Sequence, residues 1–566
     1  MLCVQRAFRS LATAVGAVAL LLTACAAPQA AGPAAPAGGA PAADSGPVTP
    51  KVNRLVMGQV APLETNDLKI HGMPDVWELR PMYEYLIGVD PKTGKLGPQL
   101  ATEWKFDQAE PAVRFKLRTD VKFHSDAGPL TGDDVVFSRD QLILPESQHG
   151  QKGYYAEVTK NIEVVSANEV VFHLTRPDGN FIRAHSENEG GFELRSKKDF
   201  EKIGVPSFQT RPLAGTGPYQ FKSRQQGSNI VYERTSYKHW RNTPDFPEFE
   251  YRWMKETSTR LAALVTGEIH ITGLSEDLMK EATGKGMKII KSQLPGTRTF
   301  IHLYGGSFID LNDPAKGMDS SALGDARVRK AMDKAIDREA LNKAFLGGKG
   351  KVYAPVHYEP SLPGWDTGWE KRYNDEFGFD PAAAKKILAD AGYGPGGSKT
   401  VDLKVDLNAT GSLQGSETDM MEAIAGYWRN IGINLVLDQS DNAALTALTR
   451  SRSSVNHVRI RGSSSSQYLA IWVFHTYKYG GSLTQQQPYV PELDTLFGQL
   501  RGTLDEAKAA EIYRQMGEIF FTQHVNIPLF WTTTEAVVNP QFVSDYVFPG
   551  SISGAWTHVD SIKTAR

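Results

Sequence analysis

The amino-acid sequence predicts an α/β fold that is divided into two or three domains. The chain has 566 residues, of which 41% are hydrophobic, and a chain of this length exceeds what one core usually holds. Alternating strands joined by short turns dominate its first half. In its second half a strand, a helix and another strand follow one another, which indicates a crossover unit of the α/β type.

The N-terminus has the pattern of an export signal. Arg6 and Arg9 precede an apolar run that begins near Leu11 and ends at small residues before Cys25. The run has the length of a signal-peptide core and is too short for a membrane span. We therefore expect residues 1–24 to be a signal peptide that is removed from the mature chain.

The tetrapeptide Leu22-Thr23-Ala24-Cys25 resembles the lipobox of bacterial lipoproteins. This resemblance implies a diacylglycerol on the Cys25 sulfur and, after cleavage, an acyl chain on its nitrogen. Two or three chains hold a protein at a membrane far better than one, so the protein would be anchored and would not span the membrane. The alternative is an ordinary secretory signal in which this cysteine has no role.

Composition narrows the remaining function classes. Residues 25–50 are rich in Ala, Pro and Gly and predict a disordered or extended tether. The formal net charge is −2 and no long basic run is present, which argues against nucleic-acid binding.

The second cysteine, Cys3, lies in the signal, so we expect no disulfide in the mature protein. His124, like most of the 13 histidines, has no partner at ligand spacing, and we expect neither a metal nor a cofactor.

Patterns in the first half predict strands and hairpins with a few short helices. Strict alternation of apolar and polar residues, or a run of β-branched residues, predicts a strand. The predicted strands are 51–60, 113–117 and 268–272, with hairpins at 162–174 and 215–233. Capping residues followed by apolar residues at helical spacing predict helices at 75–81, 131–142 and 257–266.

The second half alternates helix and strand more regularly. Asp325 precedes apolar residues at positions 328, 331, 332, 335 and 336, which is the spacing of one helix face. Further helices are predicted at 380–392, at 416–432 and from 503 onward, and strands at 401–407, 433–437 and 527–530.

Short signatures occur in a fixed order between residues 51 and 548. They are Leu96-Gly-Pro-Gln-Leu-Ala-Thr-Glu-Trp104, Phe115-Lys-Leu-Arg118, Val121-Lys-Phe-His124, Leu130-Thr-Gly-Asp-Asp-Val-Val-Phe137, Gly215-Thr-Gly-Pro-Tyr219, Ala326-Arg-Val-Arg-Lys-Ala331, Ile336-Asp-Arg-Glu-Ala-Leu341, Asp380-Pro-Ala-Ala-Ala-Lys-Lys386, Ala391-Gly-Tyr393, Ile431-Gly-Ile433 and Ile527-Pro-Leu529. Each is weak alone, but their order is specific. The set resembles the family 5 solute-binding proteins of bacterial ABC importers, which include oligopeptide- and dipeptide-binding proteins.

That resemblance implies a two-lobed periplasmic-binding-protein fold with an extra subdomain in the N-terminal half. Lobe I would comprise residues 51–87, 205–293 and 525–566, the extra subdomain residues 88–204, and lobe II residues 294–524. The solute would lie between lobes that close around it by a hinge motion. The partners would be a membrane permease and its ATPase, and the binding protein would act outside the cytoplasm as a monomer.

The chain departs from the peptide-binding members at the positions that hold the peptide termini. Those proteins commonly carry Gly-Trp-x-x-Asp, whose Asp binds the α-ammonium, whereas residues 458–475 contain no Asp. Dipeptide binders also place an Arg for the carboxylate just after the strand that matches 401–407. This chain has Asn408-Ala-Thr-Gly-Ser412 there, so neither role is carried over.

Other polar and aromatic residues occupy these segments and are the candidate ligand contacts. They are Arg298, Tyr304, Asn408, Arg459, Arg461, Gln467, Tyr468, Trp472, His475 and Tyr477. Aromatic rings with hydroxyls and amides suit a neutral polyhydroxylated or aromatic solute, whereas arginines suit an anion. Residues 60–66 are candidates from the other lobe. The alternative interpretation makes Trp472 part of a core strand and the serines before it a loose loop.

Most of the shared signatures are better interpreted as architecture. The glycines of Gly215-Thr-Gly-Pro-Tyr219 are expected to permit positive φ. Asp134 and Asp325 are expected to cap helices. Arg327 and Arg329 would form a solvated or lobe-packing face.

Three functions fit this fold to different degrees. The best supported is a binding lipoprotein that delivers a solute to an importer, and a ligand-loaded sensor subunit would share the same fold. A secreted hydrolase is the third, but the sequence has no G-x-S-x-G, H-E-x-x-H or P-loop motif and retains no cysteine nucleophile. We therefore do not expect an enzyme.

Overall fold

The computed structural model describes residues 49–62, 64–70, 75–107, 109–187, 191–310, 313–394, 397–407, 417–440, 448, 451, 453–464, 487–550 and 557–566. The predicted signal peptide, Cys25 and all but the end of the tether lie outside these residues. Six predicted contact residues also lie outside them: Asn408, Gln467, Tyr468, Trp472, His475 and Tyr477.

Most strands of the described chain belong to one large sheet. The strands are β1 (Arg54–Gln59), β2 (Ile87–Val89), β3 (Leu96–Pro98), β4 (Ala101–Phe106), β5 (Ala112–Leu117), β6 (Thr159–Ser166), β7 (Glu169–Leu174), β8 (Tyr219–Gln225), β9 (Asn229–Arg234), β10 (Glu248–Trp253), β11 (Ile271–Thr272), β12 (Lys288–Leu303), β13 (Asp402–Asp406), β14 (Asn434–Asp438), β15 (His457–Ser464), β16 (Ile527–Val538), β17 (Val543–Asp545) and β18 (Lys563–Thr564). The large sheet has the order β14-β13-β15-β12-β16-β11-β1-β10-β9-β8. Its parallel pairs, including β13 with β14 and β1 with β10, confirm the α/β class.

Helices cover the sheet at both ends. They are α1 (Gly132–Ile143), α2 (Lys152–Val158), α3 (Phe181–Ala184), α4 (Lys197–Ile203), α5 (Thr257–Thr266), α6 (Glu276–Gly284), α7 (Ala326–Lys334), α8 (Arg338–Leu346), α9 (Thr367–Phe377), α10 (Pro381–Asp390), α11 (Glu417–Asn430), α12 (Pro491–Leu500) and α13 (Glu506–Gln523). Within the described ranges, no helix has the length and apolar character needed to cross a bilayer.

Two separate apolar cores pack against the large sheet. The first contains side chains of β1 and β8 to β10, such as Leu55 and Phe249. The second contains side chains of α7, α8, α10, α11, β13 and β15, such as Trp428. Strands β12 and β16 contribute to both, because Ile290 of β12 lies in the first core and Ile301 in the second. The sheet therefore joins two halves, each with its own core.

The pairing of β12 with β16 is interrupted between the two cores. The antiparallel register shifts between Lys291 and Pro295 and again between Pro295 and Thr297. Such bulges remove ladder hydrogen bonds and bend a strand locally. Two of the three register shifts thus lie between the cores, and the third, between Thr299 and Phe300, lies at the edge of the second half.

Three further apolar clusters pack in the described fold, one of them between helices α5 and α6 and the strands β1 and β16. Strands β4, β5, β7 and β6 form an antiparallel sheet, and its core uses residues between Leu86 and Ala214. Helices α9, α12 and α13 pack with Phe300 of β12 in another cluster. Phe300 precedes Ile301, which lies in the second core, so β12 is covered on both faces here.

Several predicted elements are confirmed. The five apolar positions predicted from helical spacing are all buried, although α7 ends at Lys334 and so contains only Val328, Ala331 and Met332 of them. Thr131 and Asp134 form a reciprocal capping box at α1, and Asp380 caps α10 with Pro381 at its first turn. Arg327 lies at the surface in an ion pair with Asp325.

Other predictions are wrong in detail. The strand predicted at 527–530 extends to Val538, because the polar residues after Phe530 still pair with β12. The helix predicted from 503 onward begins at Glu506, and the side chain of Asp505 accepts its capping hydrogen bond from the backbone N–H of Lys508. Residues 75–82 form a 3-10 helix.

The glycines of the Gly215-Thr-Gly-Pro-Tyr219 turn are required for a reason other than positive φ, which neither adopts. A Cβ on Gly215 would overlap the carbonyl oxygen of Met82, and one on Gly217 would lie 2.7 Å from that of Pro81. Close approach of two backbones therefore selects glycine here.

Replacing Gly215 by Ala should lower the free energy of unfolding by about 1–3 kcal/mol, because the backbone of Met82 must move. Urea denaturation measures this change. Gly153→Ala is the matched control, since an added Cβ in α2 meets no atom within 4 Å, and its stability should be unchanged or up to about 1 kcal/mol higher. Equal stability of both variants would contradict the close-approach argument.

Candidate functional site

Antiparallel pairing of β12 with β15 places a row of polar side chains on one face of the large sheet. His302 lies opposite Arg459, and Phe300 lies opposite Arg461. Because side chains alternate along a strand, residues between them such as Ile301 point into the second core. The polar row therefore occupies the opposite face.

Two arginines of this row are buried beside aromatic rings. Arg298 keeps 1% of its accessible surface and Arg459 keeps 7%. The guanidinium carbon of Arg298 lies 5.8 Å from the ring centroid of Trp531, and that of Arg459 lies 5.3 Å from the centroid of Tyr304. Both distances allow cation–π attraction, which is strengthened by removal from water.

Two buried histidines, His302 and His357, lie beside these arginines. His302 and His357 both pack against Phe300, with ring centroids 5.5 Å apart in each pair. Nδ1 of His302 lies 3.2 Å from the hydroxyl oxygen of Tyr304. The histidines thus connect the surroundings of Arg459 with those of Arg298.

Burial holds the pKa of both imidazoles well below 6.5, and the neighbouring cations add to this effect. For His302 these cations are Arg461 and Arg459. For His357 the neighbours are Arg298 and His302. Both imidazoles are therefore neutral near pH 7, and the arginines carry the positive charge of the site.

A second polar group lies at the carboxyl ends of β13 and β14. Asp406, Asp438 and His457 bring one ligand atom each within 4.8 Å of one another. Nδ1 of His457 lies 2.8 Å from Asp406, and Asp438 accepts hydrogen bonds from the backbone and hydroxyl of Ser440. This group could hold a divalent cation, and the sequence analysis missed it because its members are far apart in the chain.

The loop after β1, predicted to supply contacts from the other half, is held within its own half. Arg224 donates hydrogen bonds to the Asn66 side chain, the Thr65 carbonyl and Glu78. Burial raises the pKa of Glu78 to about 7, against the opposing effect of Arg224. Thr65 and Asn66 therefore act first as parts of a buried structural network.

The structure brings together four of the ten predicted contact residues: Arg298, Tyr304, Arg459 and Arg461. Their role in ligand binding stays a prediction. His302 lies inside the predicted segment from Arg298 to Tyr304 but is not among the predicted contact residues, although its alternation with those two residues along one strand could have identified it. Sequence reasoning also missed His357 and Trp531, which no sequence spacing connects to the group.

Comparison with known sequences identifies relatives of this chain. The family profile described as "Bacterial extracellular solute-binding proteins, family 5 Middle" matches residues 95–474. The dipeptide-binding protein of Escherichia coli (strain K12) is 25% identical over 374 residues, which cover 62% of this chain and 65% of that protein. The chain thus matches just under two thirds of that relative's length.

Solved structures share the fold over most of the chain. NikA from Brucella suis in complex with Fe(III)-EDTA has a TM-score of 0.74 at 20% identity, covering 90% of this chain and 99% of that one. The oligopeptide-binding protein AppA from Bacillus subtilis in complex with a nonapeptide has a TM-score of 0.68 at 19% identity, with coverages of 91% and 99%. Both are similar in fold, which is thus a two-lobed binding-protein fold.

Replacing His302 by Asn should make the free energy of unfolding fall less steeply as the pH is lowered below 6.5. Because its pKa is lowered in the folded protein, the unfolded chain takes up this proton first, and stability falls as pH drops below 6.5. The difference between about pH 7.5 and about pH 5, measured by urea denaturation, should shrink by up to about 2 kcal/mol.

Other buried histidines with lowered pKa, including His124 and His149, keep part of the slope in the His302→Asn variant. The slopes of the two proteins must therefore be compared directly. Identical slopes would show that His302 is protonated in the folded state, which contradicts its surroundings.

Proposed function

Because the chain belongs to family 5 of the bacterial extracellular solute-binding proteins, we propose that it captures a small solute between its lobes and delivers it to an ABC importer. The observation that carries this proposal is the joining of two separate cores by β12 and β16, whose pairing shifts register between the cores. A hinge at this point would let the lobes close around a ligand. The importer's permease and ATPase are the partners.

The two cores support the proposed lobe boundaries except along β16, where Ile527, Leu529 and Phe530 of the proposed lobe I pack in the second core. Lobe I comprises residues 51–87, 205–293 and 525–566, and lobe II comprises residues 294–524. Residues 88–204 form the extra subdomain, which is supported by the separate sheet of β4 to β7 and its own core. The buried row on β12 and β15 begins close to the register shift, so closure would change its surroundings directly.

The proposal does not include catalysis. The relatives are named as binding proteins for peptides and other solutes. A binding protein needs only a difference in ligand affinity between its open and closed forms, which the importer then recognises. The relatives are named for different solutes, so membership of the family does not identify the solute that this chain binds.

We further propose that the mature chain is a monomer held at the membrane by lipid on Cys25, on the extracytoplasmic side. The Leu22-Thr23-Ala24-Cys25 sequence supports this anchor. The Ala-, Pro- and Gly-rich residues after it would give the lobes reach toward the importer.

Solute extracted from native preparations should bind to the ligand-free protein with a single site in isothermal titration, and its chemical structure should be unchanged afterwards. Mass spectrometry of the recovered solute measures the second point. Small-angle X-ray scattering should show a smaller radius of gyration with solute, because hinge closure compacts the molecule. Steady conversion of the solute into a product would contradict the proposal.

Replacing Cys25 by Ser should move the protein from the membrane fraction to the soluble extracytoplasmic fraction, because the acyl chains have no attachment point. Mass spectrometry should find two or three acyl chains on the wild-type mature chain and none on the variant. Cys3→Ser is the control, since Cys3 lies in the removed segment. A free thiol on the wild-type mature chain would contradict the anchor.

A further inference from the structure

The guanidinium of Arg459 has an unusual environment among the buried arginines of the described residues. Its Nε is enclosed without an acceptor, as are those of Arg80, Arg139, Arg195 and Arg241. Those four each keep another hydrogen bond or ion pair, whereas the Arg459 side chain has neither within the described residues, and its guanidinium carbon lies 5.3 Å from the centroid of the Tyr304 ring. Elsewhere the protein supplies such acceptors. Arg224 has Glu78, Arg338 has Asp333, and Arg329 has the carbonyl oxygens of Leu323, Gln523 and His524.

The nearest carboxylate on the neighbouring strand is already engaged. Asp406 lies beside Arg459 in the parallel pairing of β13 with β15. Its carboxylate is bonded to Nδ1 of His457 at 2.8 Å, and the ion pairs of the described residues include none between Asp406 and Arg459. The pairing of β13 with β15 therefore brings the Asp406 carboxylate close to Arg459 without forming an ion pair between them.

A largely buried guanidinium whose Nε has no acceptor is costly, because the hydration of that nitrogen is lost and no protein group replaces it. An incoming anionic group would supply the missing acceptors and recover this cost on binding. Guanidinium matches the two oxygens of a carboxylate or phosphate in a bidentate pair, which is among the stronger charge-assisted hydrogen bonds.

The surroundings of Arg459 also favour an anion. Arg461 lies close enough to lower the pKa of the same His302 imidazole, and Arg298 lies close enough to lower that of His357. The two imidazoles are neutral and can donate or accept hydrogen bonds without adding charge. Rings of Tyr304 and Trp531 provide apolar walls that exclude water and strengthen the electrostatic attraction.

We propose that Arg459 anchors an anionic group of the transported solute, a carboxylate or a phosphate, on the β12–β15 face. This inference rests on the proposed function, since it names the chemical class of the solute. It replaces the neutral polyhydroxylated solute that the aromatic and serine-rich segment also suggested.

Matched acids and neutral analogues test the proposal on the full chain. The probes are succinate with succinamide, benzoate with benzamide, and glucose 6-phosphate with glucose, each assayed by its effect on Tm. At least one acid should raise Tm, and its neutral analogue should not. The carboxylates and the phosphate ester form separate arms, which identify the group that binds.

Substitution of Arg459 separates binding from structure. Arg459→Gln should weaken binding of the active acid roughly 10- to 100-fold, and Arg459→Lys should restore part of it, because charge is kept without bidentate geometry. Without ligand, Arg459→Gln should have a Tm equal to or above that of the wild type, since an unsatisfied buried charge is removed. A purely structural arginine would instead lower Tm when replaced.

Arg327→Gln is the matched control, because Arg327 is an exposed arginine of the same half, paired with Asp325. Its acid binding should equal that of the wild type. Three results would each overturn the inference. Acids and their neutral analogues could shift Tm equally, Arg459→Gln could bind the acid as tightly as the wild type, or none of the acids could raise Tm.

Native mass spectrometry distinguishes this failure from failure of the proposed function. If a neutral solute co-purifies and binds Arg459→Gln as tightly as the wild type, the inference of an anionic solute fails, whereas the proposed binding function stands. If no solute co-purifies and no probe binds, the proposed function fails as well.

Discussion

The antiparallel pairing of β12 with β16 is the interaction on which the rest of the structure depends. These strands run through both apolar cores, so neither half is complete without them. Backbone hydrogen bonds within each half fix the strands rigidly, whereas the register shifts around Pro295 leave the intervening segment with fewer such bonds. The same pair thus provides continuity and a place to bend. Two separate cores can rotate as rigid bodies because close-packed interiors resist internal deformation.

This constraint also creates the candidate site. Once one face of β12 and β15 is committed to the second core through Ile301 and Ile460, alternation sends their other side chains to the opposite face. Arg459 and His302 are buried on this face, where helices α9, α12 and α13 pack with the neighbouring Phe300. The polar row is therefore a consequence of strand periodicity within a sheet that both halves share.

Local patterns predicted much of the fold, and long-range packing decided the remainder. The face of α7 and the capping box of α1 could be predicted because helical spacing and capping depend on nearby residues. The order of the ten strands, the length of β16 and the contact of Gly215 with Met82 depend on segments far apart in sequence. The same division holds for the site. Strand alternation could relate Arg298 to Tyr304, but only tertiary packing brings His357 and Trp531 to them.

Two largely buried arginines, one in each half of this molecule, differ in whether a carboxylate is paired with them. Arg224 is paired with Glu78 and fixes the loop after β1, so its desolvation is compensated within the folded chain. Arg459 has no such partner among the described residues, so its desolvation destabilises the ligand-free protein. A ligand that compensates it shifts the conformational equilibrium only if it does so better in the closed form than in the open one. Because Arg459 of β15 lies opposite His302 of β12, the strand that contains the register shift, closure can alter its access to water. Binding and hinge motion are then coupled through the desolvation of one guanidinium.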